Sequence, residues 1–167
     1  MMRPVILCAL ALCLLLIPAF QAAAQDRGPV TNLPLPRFVS MKAAEGNVRR
    51  GPSLTHQIDW IFKRRDAPLI ITAEHGHWRR VEDRDGVGGW VHYSLLSGTR
   101  TAIVEHDMLD LLARPTEGAL VVARLELGVI ARLEQCESEW CRMNAGGFRG
   151  WARKDALWGI GPDEVFD

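Results

Sequence analysis

Three adjoining stretches decide the fold: Leu69-Ile70-Ile71-Thr72-Ala73, then Trp78-Arg79-Arg80-Val81-Glu82, then Gly88-Gly89-Trp90-Val91-His92-Tyr93. The first is a compact run rich in β-branched residues, which suits a buried strand. In the second, Trp78 and Arg80 fall on one face of an extended chain and Arg79 and Val81 on the other. Between the second and third, Asp85-Gly86 is hairpin chemistry, extended by Gly88-Gly89. The extended pattern resumes at Trp90 and closes at Leu95-Leu96-Ser97-Gly98. Short strands joined by tight turns follow from this alone.

The same order returns downstream. Gly128-Val129-Ile130-Ala131-Arg132-Leu133 parallels the run around Ile70, and Trp140-Cys141-Arg142-Met143 parallels Trp78 to Val81. Gly146-Gly147 to Gly150-Trp151 parallels Gly88-Gly89-Trp90. Upstream, Asn47-Val48-Arg49-Arg50-Gly51-Pro52 has a looser echo in Leu111-Leu112-Ala113-Arg114-Pro115. An internal duplication of about sixty residues explains the pattern. Helix is scarce: the best stretch, Leu54 to Arg65, contains β-branched residues and equally suits a long loop. An all-β chain of two small units results, each near the lower size limit for folding alone, so the units are expected to pack together.

The flanks say where the chain works. Met1-Met2-Arg3 is a short positive start, Val5 to Phe20 is almost wholly apolar, and Ala22-Ala23-Ala24 offers small residues for cleavage. Residues 1–24 read as a secretory signal peptide cut after Ala24, too short and too interrupted at Pro18 for a stable membrane anchor. Residues 25–37, with Pro29, Pro34 and Pro36, read as an extended leader that delivers the first strand as a stiff spacer.

The whole chain of 167 residues carries 20 basic and 20 acidic groups. Phosphate binding needs a basic surplus, so nucleic acid is not the expected partner. The charge is uneven, +4 over residues 25–100 and −5 over 101–167, which favours docking of the two units.

Cys8 and Cys13 leave with the signal peptide, so Cys136 and Cys141 remain. Two cysteines five apart in an oxidising compartment read as a disulfide across a hairpin. A C-x4-C pair can also ligate metal, but no second pair at zinc spacing accompanies it. Glu134 to Trp140 is two residues longer than Glu74 to Trp78, so the second hairpin is expected to be the longer and the bond to pin its extra length.

Catalytic signatures are missing: no nucleophile elbow, phosphate loop or H-E-x-x-H motif occurs, and the mature cysteines are spoken for. The expectation is a non-enzyme without cofactor. His75-Gly76-His77 is read as an exposed hairpin tip rather than a metal site, since only His92 could approach it across the sheet. Six tryptophans accompany a single tyrosine. Trp78, Trp90, Trp140 and Trp151 sit at repeat positions and are expected in the cores. Trp60, Tyr93 and Trp158 lie nearer loops and module ends, and with Arg49 and Arg50 they would make an amphipathic groove for a peptide or sugar.

Asn47-Val48-Arg49-x-Gly51-Pro52, followed by Trp78-x-x-Val81 and Gly89-Trp90-Val91, resembles the bacterial Src-homology-3-like (SH3-like) domain of exported envelope proteins. Pro34-x-Pro36-Arg37-Phe38-Val39-Ser40 and Leu95-Leu96-Ser97-Gly98-x-Arg100 resemble the subgroup with two tandem modules. The resemblance implies two bent, five-stranded β-barrels, one over residues 38–100 and a divergent one over 101–160, ahead of a tail at 161–167. It also implies a binding role in the periplasm or outside the cell, since relatives accompany peptidoglycan hydrolases and bind wall peptides. The expected ligand is thus a peptidoglycan stem peptide. An adaptor or regulator of an envelope enzyme is the second expectation, and a hydrolase with an unrecognised site the third.

Overall fold

The computed structural model describes residues 26–167, so the expected signal peptide lies outside the described residues. Seven strands form the first module: β1 (Arg37–Met41), β2 (Gly46–Arg49), β3 (Ile58–Phe62), β4 (Pro68–His75), β5 (Trp78–Glu82), β6 (Gly88–His92) and β7 (Leu96–Ser97). Seven more form the second: β8 (Thr101–Val104), β9 (Leu109–Leu112), β10 (Val121–Leu125), β11 (Ile130–Cys136), β12 (Trp140–Ala145), β13 (Phe148–Arg153) and β14 (Leu157–Trp158). A 3₁₀ turn precedes the last strand of each, at Tyr93–Leu95 and Lys154–Ala156. The sheets run β3-β2-β6-β5-β4-β1-β7 and β10-β9-β13-β12-β11-β8-β14. The two orders are the same. The duplication is therefore one of topology as well as sequence.

Each sheet has seven strands where five were expected, and no ladder among the described residues joins its two ends. The Leu54 to Arg65 stretch is not helical; its β-branched and aromatic residues form β3, paired to β2.

Close approach of β2 to β6 is set by glycine. A Cβ at Gly89 would stand 2.7 Å from the Arg49 carbonyl oxygen and 2.9 Å from Val48, and one at Gly150 would stand 2.7 Å from the Leu112 carbonyl oxygen. Only glycine lets β6 and β13 pass under β2 and β9 there.

The cores are aliphatic. Met41, Val48, Leu69, Ile71, Val81 and Val91 fill the first, and Ala102, Val104, Leu111, Leu133 and Met143 lie in the second. Trp78, Trp90, Trp140 and Trp151, expected in these cores, are only half-buried and belong to neither. Strand alternation is the reason. On β5 the inward residues are Arg79 and Val81, and on β12 they are Cys141 and Met143, so Trp78 and Trp140 face outward. Val91 and Ala152 point inward beside Trp90 and Trp151 and turn them out in the same way.

An inward Arg79 needs a partner, and the register supplies it. Glu74 lies opposite Arg79, with its Oε1 3.5 Å from Arg79 Nε and 2.6 Å from Arg37 Nη2. In the second module the corresponding pair is Cys136 opposite Cys141, joined by a disulfide with a Cα separation of 4.1 Å. Both links span five residues, so the hairpins are equally long. The second is not extended, because Glu74 corresponds to Cys136 and not to Glu134.

These links also hold the chain ends. Glu74 accepts from the backbone N–H groups of Val30 and Thr31 and from the Thr31 hydroxyl. The leader is therefore a folded turn, closed by Gly28 N–H to Leu33 O at 2.8 Å, and not an extended spacer. In the second module Cys136 exchanges backbone hydrogen bonds with Phe166 of the tail. The modules dock through Thr101 Oγ1 to the Asp66 carbonyl, Arg64 to the Gly128 carbonyl, and an edge-to-face contact of Phe38 with Trp158. Among the described residues one ion pair, Arg100 with Glu164, joins residues 26–100 to residues 101–167.

Two outcomes follow from the links. Burial alone would raise the Glu74 pKa, but hydrogen bonds from Thr31, Arg37 and the backbone of Thr31 and Val30 outweigh it and hold it at about 2, below its ordinary 4.5. Its folded pKa is depressed, so its contribution of about 3 kcal/mol is complete above the ordinary carboxylate range and is lost as pH falls through about 2. Glu74→Gln is expected to flatten the melting-temperature profile over that window; an unchanged profile would assign the acid sensitivity elsewhere. Replacing Cys136 and Cys141 together by Ser is expected to cost about 2 kcal/mol in denaturant unfolding, from loop closure of so short a ring.

Candidate functional site

Two grooves lie at equivalent places. The first, of about 390 Å³, is lined by Glu45, just before β2, Gly46, Asn47 and Arg49 of β2, Leu54, Trp78 of β5, His92 at the end of β6 and Leu95. The second, of about 440 Å³, is lined by Leu109, Asp110 and Leu112 of β9, Trp140 of β12, Arg153 at the end of β13 and Ala156. The strand order sets Arg49 against Leu112, Trp78 against Trp140, and His92 against Arg153. The duplicated fold has kept one tryptophan wall and changed the charge around it.

In the first groove Arg49 is fixed by its own loop. Its Nη1 donates to the carbonyls of Leu54 and His56 at 3.1 and 2.8 Å. No carboxylate pairs with it among the described residues. His92 packs edge-on against Trp78 at 5.6 Å, and its Nδ1 lies against the Ser94 hydroxyl at 2.7 Å. Tyr93, half exposed, packs on His77 and His92 with centroids 5.6 and 4.9 Å away, and the Arg79 guanidinium lies 6.0 Å from its ring. The result is an open trough with an aromatic wall, a fixed cation and an imidazole.

The second groove carries a cation that is already ion-paired. Arg153 lies over the Trp140 ring at 5.8 Å and is held by Asp155, Glu117 and Glu139. Hydrogen bonding to Asp155, with the charge of that group, raises the Arg153 pKa above its ordinary value. Its aromatic face is capped.

Of the five residues assigned to a groove from sequence, Arg49 lines the first groove, Tyr93 stands beside it, and Trp158 packs edge-on against Phe38 at the module boundary. Arg50 turns to the other side of β2, paired with Asp59 at 2.9 Å. Trp60 is 52% exposed on the edge strand β3, opposite Val48, and lines neither groove. The sequence reading missed Trp78, His92, Trp140 and Arg153 as groove residues. The signal was present: an inward Val81 implies an outward Trp78. Among the described residues no group of three or more His, Cys, Asp or Glu is placed to hold a metal ion.

A family model described as the bacterial SH3 domain matches residues 42–98 and again 105–159. The chain belongs to the bacterial SH3 domain family. Members of this family are binding domains associated with the cell wall. Curated proteins give no match. Among solved structures the chain is similar to NlpC2 and NlpC1 from Trichomonas vaginalis, each at 12% identity and a TM-score of 0.35. The likeness covers 74% of this chain and 48% of NlpC2, and 73% and 45% for NlpC1. The chain thus spans about half the length of either. No helix among the described residues is long and apolar enough to cross a membrane.

The placement of Trp78 outside the SH3 core is testable. Trp78→Ala is expected to leave a cooperative thermal transition, lowered by a few degrees, where a core tryptophan would cost about 3–5 kcal/mol. Val81→Asp, at the neighbouring inward position, is expected to abolish folding.

Proposed function

We propose that this protein is an exported, non-catalytic binding protein of the cell envelope that recognises peptidoglycan stem peptides in the groove of its first SH3 module. The observation that carries this reading is the open Trp78 wall beside Arg49 and His92, set against an equivalent wall that Arg153 caps. A short peptide with free carboxylates suits such a trough. Its apolar part covers the indole, a carboxylate meets the Arg49 guanidinium, and Asn47 and His92 offer hydrogen bonds. A periplasmic or secreted setting is supported by the Cys136–Cys141 disulfide, which is chemistry of an oxidising compartment.

Hydrolysis is not favoured. Both cysteines of the described chain are bonded to each other, so neither is a thiolate. Two Ser–His contacts occur, Ser53 with His56 and Ser94 with His92, but each is a local turn or cap with no carboxylate orienting the ring among the described residues. An adaptor role has one observation in its favour: Ile58, Trp60 and Ile61 are exposed on the unpaired edge strand β3.

Purified sacculi test the reading. The processed chain is expected to be retained at moderate salt, with retention falling at least tenfold in Trp78→Ala and in Arg49→Gln. Trp140→Ala is expected to bind as the parent does. No retention of the parent would overturn wall binding and turn attention to an envelope protein at the β3 edge. Equal loss in the Trp78 and Trp140 variants would mean that both grooves bind.

A further inference from the structure

Between the modules lies a cavity of about 610 Å³, separate from either groove. Arg64, Arg65 and Asp66, in the loop between β3 and β4, form one bank, and Arg132 of β11 with Asn144 of β12 forms the other. Thr99 and Thr101 of the junction lie along it. The cavity therefore exists only because the two modules are docked.

Its charge is positive. Nine arginines elsewhere have a carboxylate partner within ion-pair distance. Arg64, Arg65 and Arg132 have none among the described residues, and Asp66 is the sole acidic lining group. Three guanidiniums against one carboxylate leave the cavity a positive surplus that attracts an anion.

Nor are the cations loose on their loop. Arg64 Nη2 donates to the Gly128 carbonyl across the module boundary at 2.6 Å, and Arg65 Nη1 donates to the Lys42 carbonyl at 2.5 Å. The Asp66 carbonyl is bolted to Thr101 Oγ1 at 2.8 Å. Two guanidiniums are thus held on one bank while Arg132 stands on the other, which is preorganisation for a charged ligand. No aromatic side chain lines the cavity, so a sugar ring or nucleobase finds no stacking surface. Cations on opposite banks suit charges that are separated along the ligand, not gathered at one atom.

We propose that this inter-module cavity binds a small polycarboxylate, a short peptide with two or more carboxylate groups, through Arg65 and Arg132 with Arg64 as the fixed third cation. The site stands independently of the Trp78 groove.

Calorimetric titration of the processed chain with N-acetyl glutamyl-alanyl-glutamate tests it, with the diglutamine analogue and inorganic phosphate as comparators. The acidic peptide is expected to bind, to weaken steeply with added salt, and to leave the glutamine analogue without measurable heat. Arg65→Gln and Arg132→Gln are each expected to weaken binding about tenfold with melting temperatures unchanged. Arg124→Gln, whose arginine pairs with Asp110 elsewhere, is expected to bind like the parent. Equal binding of the glutamine analogue, or insensitivity to both arginine variants, would overturn the proposal. Phosphate binding more tightly than the peptide would overturn the carboxylate assignment. Loss in Trp78→Ala instead would mean that the peptide occupies the first groove, a result that leaves sacculus binding standing.

Discussion

The cross-strand link at the base of each long hairpin fixes the rest of the molecule. In the first module it is ionic: a fully buried Glu74 carboxylate holds Arg79 from the facing strand and Arg37 from the start of β1. In the second it is covalent, Cys136 to Cys141. A buried carboxylate survives only when its hydrogen-bonding capacity is filled, and Glu74 fills it by drawing in the leader. A disulfide has no such demand. Loss of the carboxylate from the second module leaves Arg100, the counterpart of Arg37, to find another partner. It finds Glu164 of the tail, and the tail is thereby folded back against β11. Burial tends to raise the Glu164 pKa, but hydrogen bonds from Arg100 and the Gly161 backbone outweigh it and hold the carboxyl below its ordinary value. One substitution in the repeat thus decides which chain end each module binds.

The same inward face sets the grooves. Because residues 79 and 81 fill the interior of the first module, and 141 and 143 that of the second, the tryptophans one position earlier must stand outside. They become walls, with β2 or β9 brought over by glycine at 89 or 150. Divergence then acts on the rim alone. Arg49 and His92 line the first trough, whereas Arg153 with its three carboxylates lies over the tryptophan of the second.

Docking adds something that neither repeat contains. The contacts across the boundary are carbonyl hydrogen bonds and an aromatic edge, which are short-ranged and directional, so they hold a definite orientation. The opposite net charges of the halves contribute one ion pair across the boundary among the described residues, Arg100 with Glu164. The basic loop at 63–65 is left facing Arg132, and the positive surplus of the first half gathers in the cavity between the modules.

By itself the sequence determined the all-β class, the duplication and the Cys136–Cys141 pairing, because each is written in local pattern: alternation, turn residues and cysteine count. It also contained the two faces of β5, Trp78 with Arg80 and Arg79 with Val81. Which face turns inward was decided by tertiary structure, since an arginine goes inside only where a carboxylate awaits it, and Glu74 is supplied by the neighbouring strand. Apolar character alone favours burying the tryptophans, and that preference misplaced all four. The correspondence of Glu74 with Cys136 was hidden for the same reason: an ion pair and a disulfide share no residue types, only a position in the ladder. The grooves and the inter-module cavity join residues far apart in the chain, and the pairing of strands and docking of modules alone brought those residues together.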